Sequence, residues 1–386
     1  MEFEFACPDR IIFGPGKVAM AGELAAKLGK RCLVVRGREA SRATPLLESL
    51  EGSGLDLLCL TAPPEPGIEE LREALDLARG FGPDLLIGFG GGSAVDMAKA
   101  LAVLVLEGDD PLDHAELVGA GKPFIGPALP CMAIPTTSGT GSEATRNAVF
   151  SALGTGGSRV KASLRSASMM PRLALVDPAL TLGLPPRLTA DSGLDAITQL
   201  IEPLVCSRAS PLVDGLCREG LRRGLAALPR AYGDGGDLAA REDMAFASLS
   251  GGMALANAGL GAVHGIAGPL GGMTGAAHGA ICGALLPHVV SANVRLLAER
   301  LPGSPAIAKY TEVASLALGR TAQAREAGPA LHALAQSLGV RGLGELGLER
   351  RDFRRLAEAS LRASSMRANP LPLAETEILD ILDAAL

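Results

Sequence analysis

At 386 residues the chain is too long for one ordinary hydrophobic core, and with 48% apolar residues it can build two. That composition also argues against long disorder. The net charge of −6 leaves no phosphate-tracking surface, so nucleic-acid binding is not expected.

The cationic residues are scattered, except for Arg350, Arg351, Arg354 and Arg355, which read as a solvated helix face. The N-terminus MEFEFACPDR carries acid where a secretion signal needs base, and lacks an apolar run. The stretch Ala262 to Val290 is apolar enough to suggest a membrane span. It holds His264, His278 and His288, however, and reads better as buried helical core. No membrane partner is expected. Seven dispersed cysteines without a CxxC pair suggest free thiols in a reducing, cytoplasmic compartment.

Along the first half, short apolar runs alternate with helical patterns. A helical stretch over 18–28 precedes a strand at Arg31–Arg36. A strand at 55–61 precedes an amphipathic helix at 68–80. A buried strand at 84–89 precedes a helix at 93–106. Strands at Cys131–Pro135 and Leu173–Val176 follow. Alternation of this kind implies βαβ units and a parallel sheet. After Pro185-Pro186 strand-like runs vanish and helical segments follow to the C-terminus. We therefore expect an α/β domain over 1–180 and an all-α domain over 181–386.

The strand at 84–89 runs into Gly90-Gly91-Gly92-Ser93, and a helix opens with Ala94 to Lys99. Strand, glycine turn and helix N-terminus together form a phosphate site. Glycine lets the backbone approach the anion, and the first free N–H groups and the helix dipole face it. Ser93 is a candidate helix cap. The alternative is a tight turn that binds nothing, and GGGS is not the usual GxGxxG fingerprint. A second polar loop, Pro135 to Glu143, has seven Thr, Ser or Gly residues in nine. It follows a strand's C-terminal end, where ligands bind in open α/β sheets.

The helical half contains a second constellation. His264 and His278 are 14 residues apart, each followed by glycine, and Asp195 stands in an apolar helix. A buried acid is costly unless paired or bound to a cation, and a buried imidazole needs partners for both nitrogens. One carboxylate and two imidazoles are a donor set for a divalent metal with an open position; the competing reading is a buried Asp–His pair.

Four segments, GGGSAVDMAK, PTTSGTGSEAT, DSGLDAITQLIE and HGIAGPLGGMTGAAHGAICGALLPH, resemble the signatures of iron-containing (group III) alcohol dehydrogenases. The resemblance runs from Asp9 to about Asn293. It implies a dehydroquinate synthase-like fold, with an α/β dinucleotide-binding domain followed by an all-helical metal and substrate domain. It implies metal-assisted hydride transfer between NADP or NAD and a small alcohol or aldehyde, in a homo-oligomer. Gly90, Gly91, Gly92 and Ser93 would hold the pyrophosphate with Asp96 nearby, and Thr136, Thr137 and Ser142 would line the cofactor site. Asp195, His264 and His278 match metal ligands for Fe2+ or Zn2+ and would act catalytically through the metal.

There are two departures from the family pattern. Gln199 stands where the family places a fourth ligand, a histidine; its amide oxygen is a weaker donor. Gly268 stands where many members carry a further histidine near the nicotinamide. Related glycerol dehydrogenases are similar in using three protein ligands around zinc. The alternatives are metal-independent reduction of the maleylacetate reductase kind, a dehydroquinate synthase-like lyase, and a cofactor-binding pseudoenzyme. At the end of the strand Arg31–Arg36, many NAD-preferring members carry an acid. Here Gly37 lies between Arg36 and Arg38, which permits NADP(H) and a pairing with its 2′-phosphate.

Overall fold

A computed structural model describes residues 2–116, 118–154 and 159–386. The described chain divides into two compact units. One comprises 6–137 and 141–182; the other comprises 183–386 together with the N-terminal five residues and Ser138–Thr140.

Among its described residues the first unit contains eight strands: β1 (Arg10–Phe13), β2 (Arg31–Arg36), β3 (Asp56–Thr61), β4 (Leu85–Gly90), β5 (Cys131–Pro135), β6 (Asn147–Leu153), β7 (Arg159–Arg165) and β8 (Leu173–Val176). Six form one sheet in the order β1-β8-β5-β4-β2-β3, every pair parallel. Both faces are covered, which is why β2 and β4 read as unbroken apolar runs. Cys32 and Val34 pack on one face with Leu85 and Ile87, while Leu33, Val35 and Leu86 pack on the other. Gly88 marks a close approach: a Cβ there would lie 2.8 Å from Val95 Cα in the Gly92–Leu104 helix.

The chain leaves β2 toward β3 on one side and β4 toward β5 on the other. The direction of winding therefore reverses between β2 and β4, and such a reversal is where open α/β sheets receive ligands.

The sequence reading did not place β1 or the antiparallel hairpin of β6 and β7. The hairpin's signal was present, since Ala148, Phe150 and Ala152 alternate inward while their neighbours do not. The hydroxyl-rich loop ends in a three-residue 3-10 turn, Ser142–Ala144.

The second unit is helical, with its core formed by Pro186–Val205, Pro211–Gly233, Leu238–Asn257, Ala262–Thr274, His278–Arg300 and the shorter helices that follow. The His278–Arg300 helix has the length and hydropathy to cross a membrane, but 78% of its most apolar window is buried inside the protein. The residues read as a basic helix face divide between a short turn, Arg350–Asp352, and the Phe353–Arg362 helix. There Arg350 pairs with Asp383, Arg351 with Glu349 and Arg354 with Glu375.

Candidate active site

In the first unit the glycine turn lies at the winding reversal. Gly91 caps the Gly92–Leu104 helix in extended conformation. Gly90 has φ +156°, and a Cβ on it would meet Ala94 Cβ at 2.8 Å and Gly37 N at 3.2 Å. Only glycine fits there, and its absent side chain leaves the first helical N–H groups reachable. The Gly37 N–H donates to Phe89 O at 3.1 Å, tying the turn after β2 to β4. The Thr136 N–H donates to Gly90 O at 2.8 Å, bringing the hydroxyl loop to the same end of the sheet. A Cβ on Gly91 would lie 3.4 Å from Thr137 Oγ1.

Ser93 is not the cap. It sits one residue inside the helix, where its hydroxyl accepts from the Glu65 N–H at 3.3 Å. Asp96 and Ser142 face each other: the Ser142 hydroxyl donates to Asp96 Oδ1, and the Val149 N–H donates to Oδ2 at 3.0 Å. Lys99 completes this joint. It is fully buried, lies 3.0 Å from Asp96, and donates to Ser142 O, Thr145 Oγ1 and Asn147 O at 3.0, 2.8 and 2.6 Å. The joint anchors the hydroxyl loop and the hairpin on the helix that begins at the glycine turn. Arg36 folds back onto the Gly37 and Arg38 carbonyls, at 3.0 and 3.4 Å, so Arg38 is the exposed arginine of that turn.

Glu143, beside Ser142, is almost fully buried. Burial pushes its carboxyl up to about 7, against the downward pull of a backbone hydrogen bond and of Lys99. An unfolded chain releases this proton near 4.5, whereas the folded one keeps it to about 7. Stability is therefore unaffected by this group below pH 4.5 and falls as pH rises toward 7. The loss approaches roughly 3 kcal/mol at 1.36 kcal/mol per pH unit. Glu143→Gln should flatten this part of the profile, read as urea midpoints from pH 4 to 8. An unchanged slope would show that the carboxyl titrates normally.

In the second unit Asp195 and Gln199 lie one turn apart on the Pro186–Val205 helix. His264 is the third residue of Ala262–Thr274, and His278 and Cys282 lie on the first turns of His278–Arg300. One donor atom from each of Asp195, His264, His278 and Cys282 falls within 4.8 Å of every other. Asp195 Oδ1 is 3.4 Å from His264 Nε2 and 3.8 Å from His278 Nε2, and Cys282 Sγ is 3.6 Å from His278 Nε2. His278, about one-third exposed, is the donor that meets the outside.

Three glycines permit this convergence. A Cβ on Gly279 would strike Asp191 O at 2.2 Å, so only glycine after His278 lets its helix seat against the Asp195 helix. A Cβ on Gly265 would crowd Met366, and one on Gly193 would overlap Leu228. At Gly268, by contrast, a Cβ would meet nothing within 4 Å.

The donors are held by their neighbours. His264 Nδ1 hydrogen-bonds Glu202 Oε2 at 2.7 Å, which fixes the proton on that nitrogen and leaves Nε2 to face the cluster. Glu202 Oε1 accepts from the Val263 N–H at 2.7 Å, and Asn369 Oδ1 accepts from the Ala262 N–H at 3.2 Å. A carboxylate and an amide thus cap the helix that carries His264. Gln199 Nε2 donates to Asp195 Oδ2 at 3.1 Å and to Gly139 O at 3.3 Å. Burial disfavours charge on both Asp195 and His264, but their attraction prevails. Asp195 is lowered by His264 and His278, and His264 is raised to about 9 by Asp195 and Glu202.

The arrangement fits a metal ion. Asp195 Oδ1, Gln199 Oε1 and His264 Nε2 are buried and take no hydrogen bond. Uncompensated polar atoms of this kind are costly, and a cation satisfies them together. His288 lies elsewhere, edge-on to His332, and His114 stacks on Phe124. Glu202, Cys282 and Lys99 were missed from the sequence. Glu202 had a signal, being a further acid in the apolar helix of Asp195. Cys282 had one too, four residues beyond His278 on the same face.

Comparison with known proteins places these observations. Residues 8–178 match the model of the iron-containing alcohol dehydrogenases, and residues 189–386 match that of their C-terminal region. The chain belongs to the iron-containing alcohol dehydrogenase family. It is similar to a probable alcohol dehydrogenase, EutG, of Escherichia coli (strain K12), at 34% identity over 99% of this chain and 94% of that one. It is similar also to the NAD-dependent methanol dehydrogenase of Bacillus methanolicus, at 30% identity over 99% of each. A solved 1,3-propanediol oxidoreductase superposes with a TM-score of 0.91, 30% identity and full coverage of both chains. The parallel sheet and helical region are thus the family's fold, and the protein is an oxidoreductase acting on CH–OH groups. The family uses a nicotinamide cofactor and iron or another divalent metal.

Proposed function

We propose that the protein interconverts a small alcohol and its carbonyl compound, with Asp195, His264 and His278 holding a divalent metal. The observation that carries this reading is the convergence of three donors from three helices, with Asp195 Oδ1 and His264 Nε2 buried and lacking hydrogen bonds. A bound divalent cation supplies Lewis-acid polarisation of the substrate oxygen, and a bound nicotinamide donates or accepts the hydride. Asp195 brings one negative charge, and Gln199 holds its outer oxygen so that Oδ1 stays with the imidazoles. Glu202 aims His264 Nε2. The amide oxygen of Gln199 is a further, weaker donor.

Gly90, Gly91, Gly92 and Ser93 offer backbone N–H groups to a pyrophosphate, and Thr136 and Thr137 offer hydroxyls beside it. Asp96 and Ser142 serve the cofactor indirectly, by anchoring the loop. We also read the protein as a homo-oligomer without membrane partners; its seven thiols support a cytoplasmic setting and its acidic balance argues against nucleic-acid partners.

Aldehyde-dependent oxidation of NADPH and NADH, before and after chelation, tests the core of this reading. Turnover should fall at least a hundredfold on chelation and return with added Zn2+ or Fe2+. Turnover indifferent to chelation would favour the metal-independent alternative.

For the cofactor we propose NADP(H), with Arg38 meeting the 2′-phosphate. A Cβ on Gly37 would meet nothing within 4 Å, so a side chain fits there. Gly37→Asp should lower kcat/KM for NADPH by roughly 10- to 100-fold, a like-charge cost of about 1–3 kcal/mol, and leave NADH nearly unchanged. Equal effects on both cofactors would place the 2′-position elsewhere.

A further inference from the structure

We propose that Cys282 is a metal ligand, completing with Asp195, His264 and His278 a four-donor site that prefers zinc to iron. The inference rests on the metal reading above and goes beyond it, because the sequence offered Gln199 for the fourth position.

Geometry is the first support. Zinc bonds of about 2.0–2.1 Å to nitrogen and oxygen and about 2.3 Å to sulfur, arranged tetrahedrally, put neighbouring donors roughly 3.3–3.6 Å apart. The observed separations are 3.4 Å for Asp195 Oδ1 to His264 Nε2, 3.8 Å for Asp195 Oδ1 to His278 Nε2, and 3.6 Å for His278 Nε2 to Cys282 Sγ. All four atoms lie within 4.8 Å of one another, so small side-chain adjustments close the set. Cys282 is fully buried and Asp195 and His264 nearly so, and Asp195 Oδ1 and His264 Nε2 take no hydrogen bond. The sulfur is therefore part of the shell around those atoms.

Donor chemistry is the second support. The Gln199 amide is committed through Nε2 to Asp195 and Gly139, and its oxygen is neutral. A thiolate is a far stronger donor to zinc than an amide oxygen, and thiolate ligation shifts preference from iron toward zinc. Binding converts the Cys282 thiol to thiolate and releases its proton to solvent. Spacing of four residues along one helix puts His278 and Cys282 side by side without strain. The rival explanation of the 3.6 Å contact is a plain intrahelical hydrogen bond between thiol and imidazole.

X-ray absorption at the zinc edge of the full chain, loaded with one zinc equivalent, separates these. One sulfur scatterer near ~2.3 Å is expected, against ~2.0–2.1 Å for nitrogen and oxygen. Cys282→Ser should lose that scatterer while retaining the wild-type circular dichroism. Its zinc-over-iron occupancy, measured after loading from an equimolar anaerobic mixture, should drop at least tenfold. A wild-type zinc shell of nitrogen and oxygen alone overturns the proposal and leaves the three-ligand site standing. A sulfur shell that persists in Cys282→Ser overturns it as well. Failure to retain stoichiometric zinc in the wild type overturns this proposal, and failure to retain iron as well sinks the metal reading with it. Should Cys282→Ser misfold, Co2+ in the wild type is the second measurement. Its near-ultraviolet thiolate-to-cobalt band supports the assignment, and Co2+ bound without that band overturns it.

Discussion

Asp195→Asn should abolish stoichiometric metal binding and lower kcat/KM by about a thousandfold or more. The substitution keeps the shape of the side chain but removes the only carboxylate of the three convergent donors. Lewis-acid stabilisation of charge developing on oxygen is worth several kcal/mol, and each 1.36 kcal/mol is a factor of ten in rate. Asp195 is almost completely buried between two imidazoles and the Gln199 amide, so no neighbouring acid can take its place. Glu202 is already engaged by His264 and the Val263 N–H. Metal analysis and steady-state kinetics check the result together. Loss of metal with turnover kept within tenfold would transfer the chemistry to the metal-independent reading, and retained metal would remove Asp195 from the ligand set.

Lys99→Met should destabilise the first unit by roughly 3–5 kcal/mol, the cost of breaking a buried ion pair from one side. Methionine fills much of the same space, so the effect is electrostatic rather than a cavity. The Asp96 carboxylate loses its 3.0 Å partner, and the Ser142 and Asn147 carbonyls and the Thr145 hydroxyl lose a donor. Unfolding in denaturant measures the loss. The pair Lys99→Met with Asp96→Asn should cost less than the sum of the single changes, since the second removes the stranded charge. The joint holds the hydroxyl loop beside the glycine turn, so the Michaelis constant for the cofactor should rise in Lys99→Met. A stability loss under about 1 kcal/mol would mean that the network contributes little.

Much of the fold was legible because its signals are local. The strands Arg31–Arg36, Cys131–Pro135 and Leu173–Val176 stand in the structure where the apolar runs put them, and the helical region opens at Pro186 where strand-like runs vanish. The hairpin of β6 and β7 went unread, although its alternation was present, because its strands lie outside the main sheet. Ser93 is not the cap because capping depends on which residue first turns helical, and with Gly92 in that place the cap is Gly91.

The sequence by itself determined most of the element types, the glycine turn, and the candidacy of Asp195, His264 and His278, because backbone permissiveness and misplaced polarity are written residue by residue. Only the tertiary structure decided that Cys282 and His278 meet Asp195 and His264 in one cluster, that Glu202 aims His264, and that Asp96 is occupied by Ser142. Those contacts join residues far apart in sequence, 62 positions for Glu202 and His264. In the helical unit they exist because glycines at 193, 265 and 279 let helices approach more closely than any side chain would allow. Distances between helices depend on packing, and packing is a property of the whole chain rather than of any one segment.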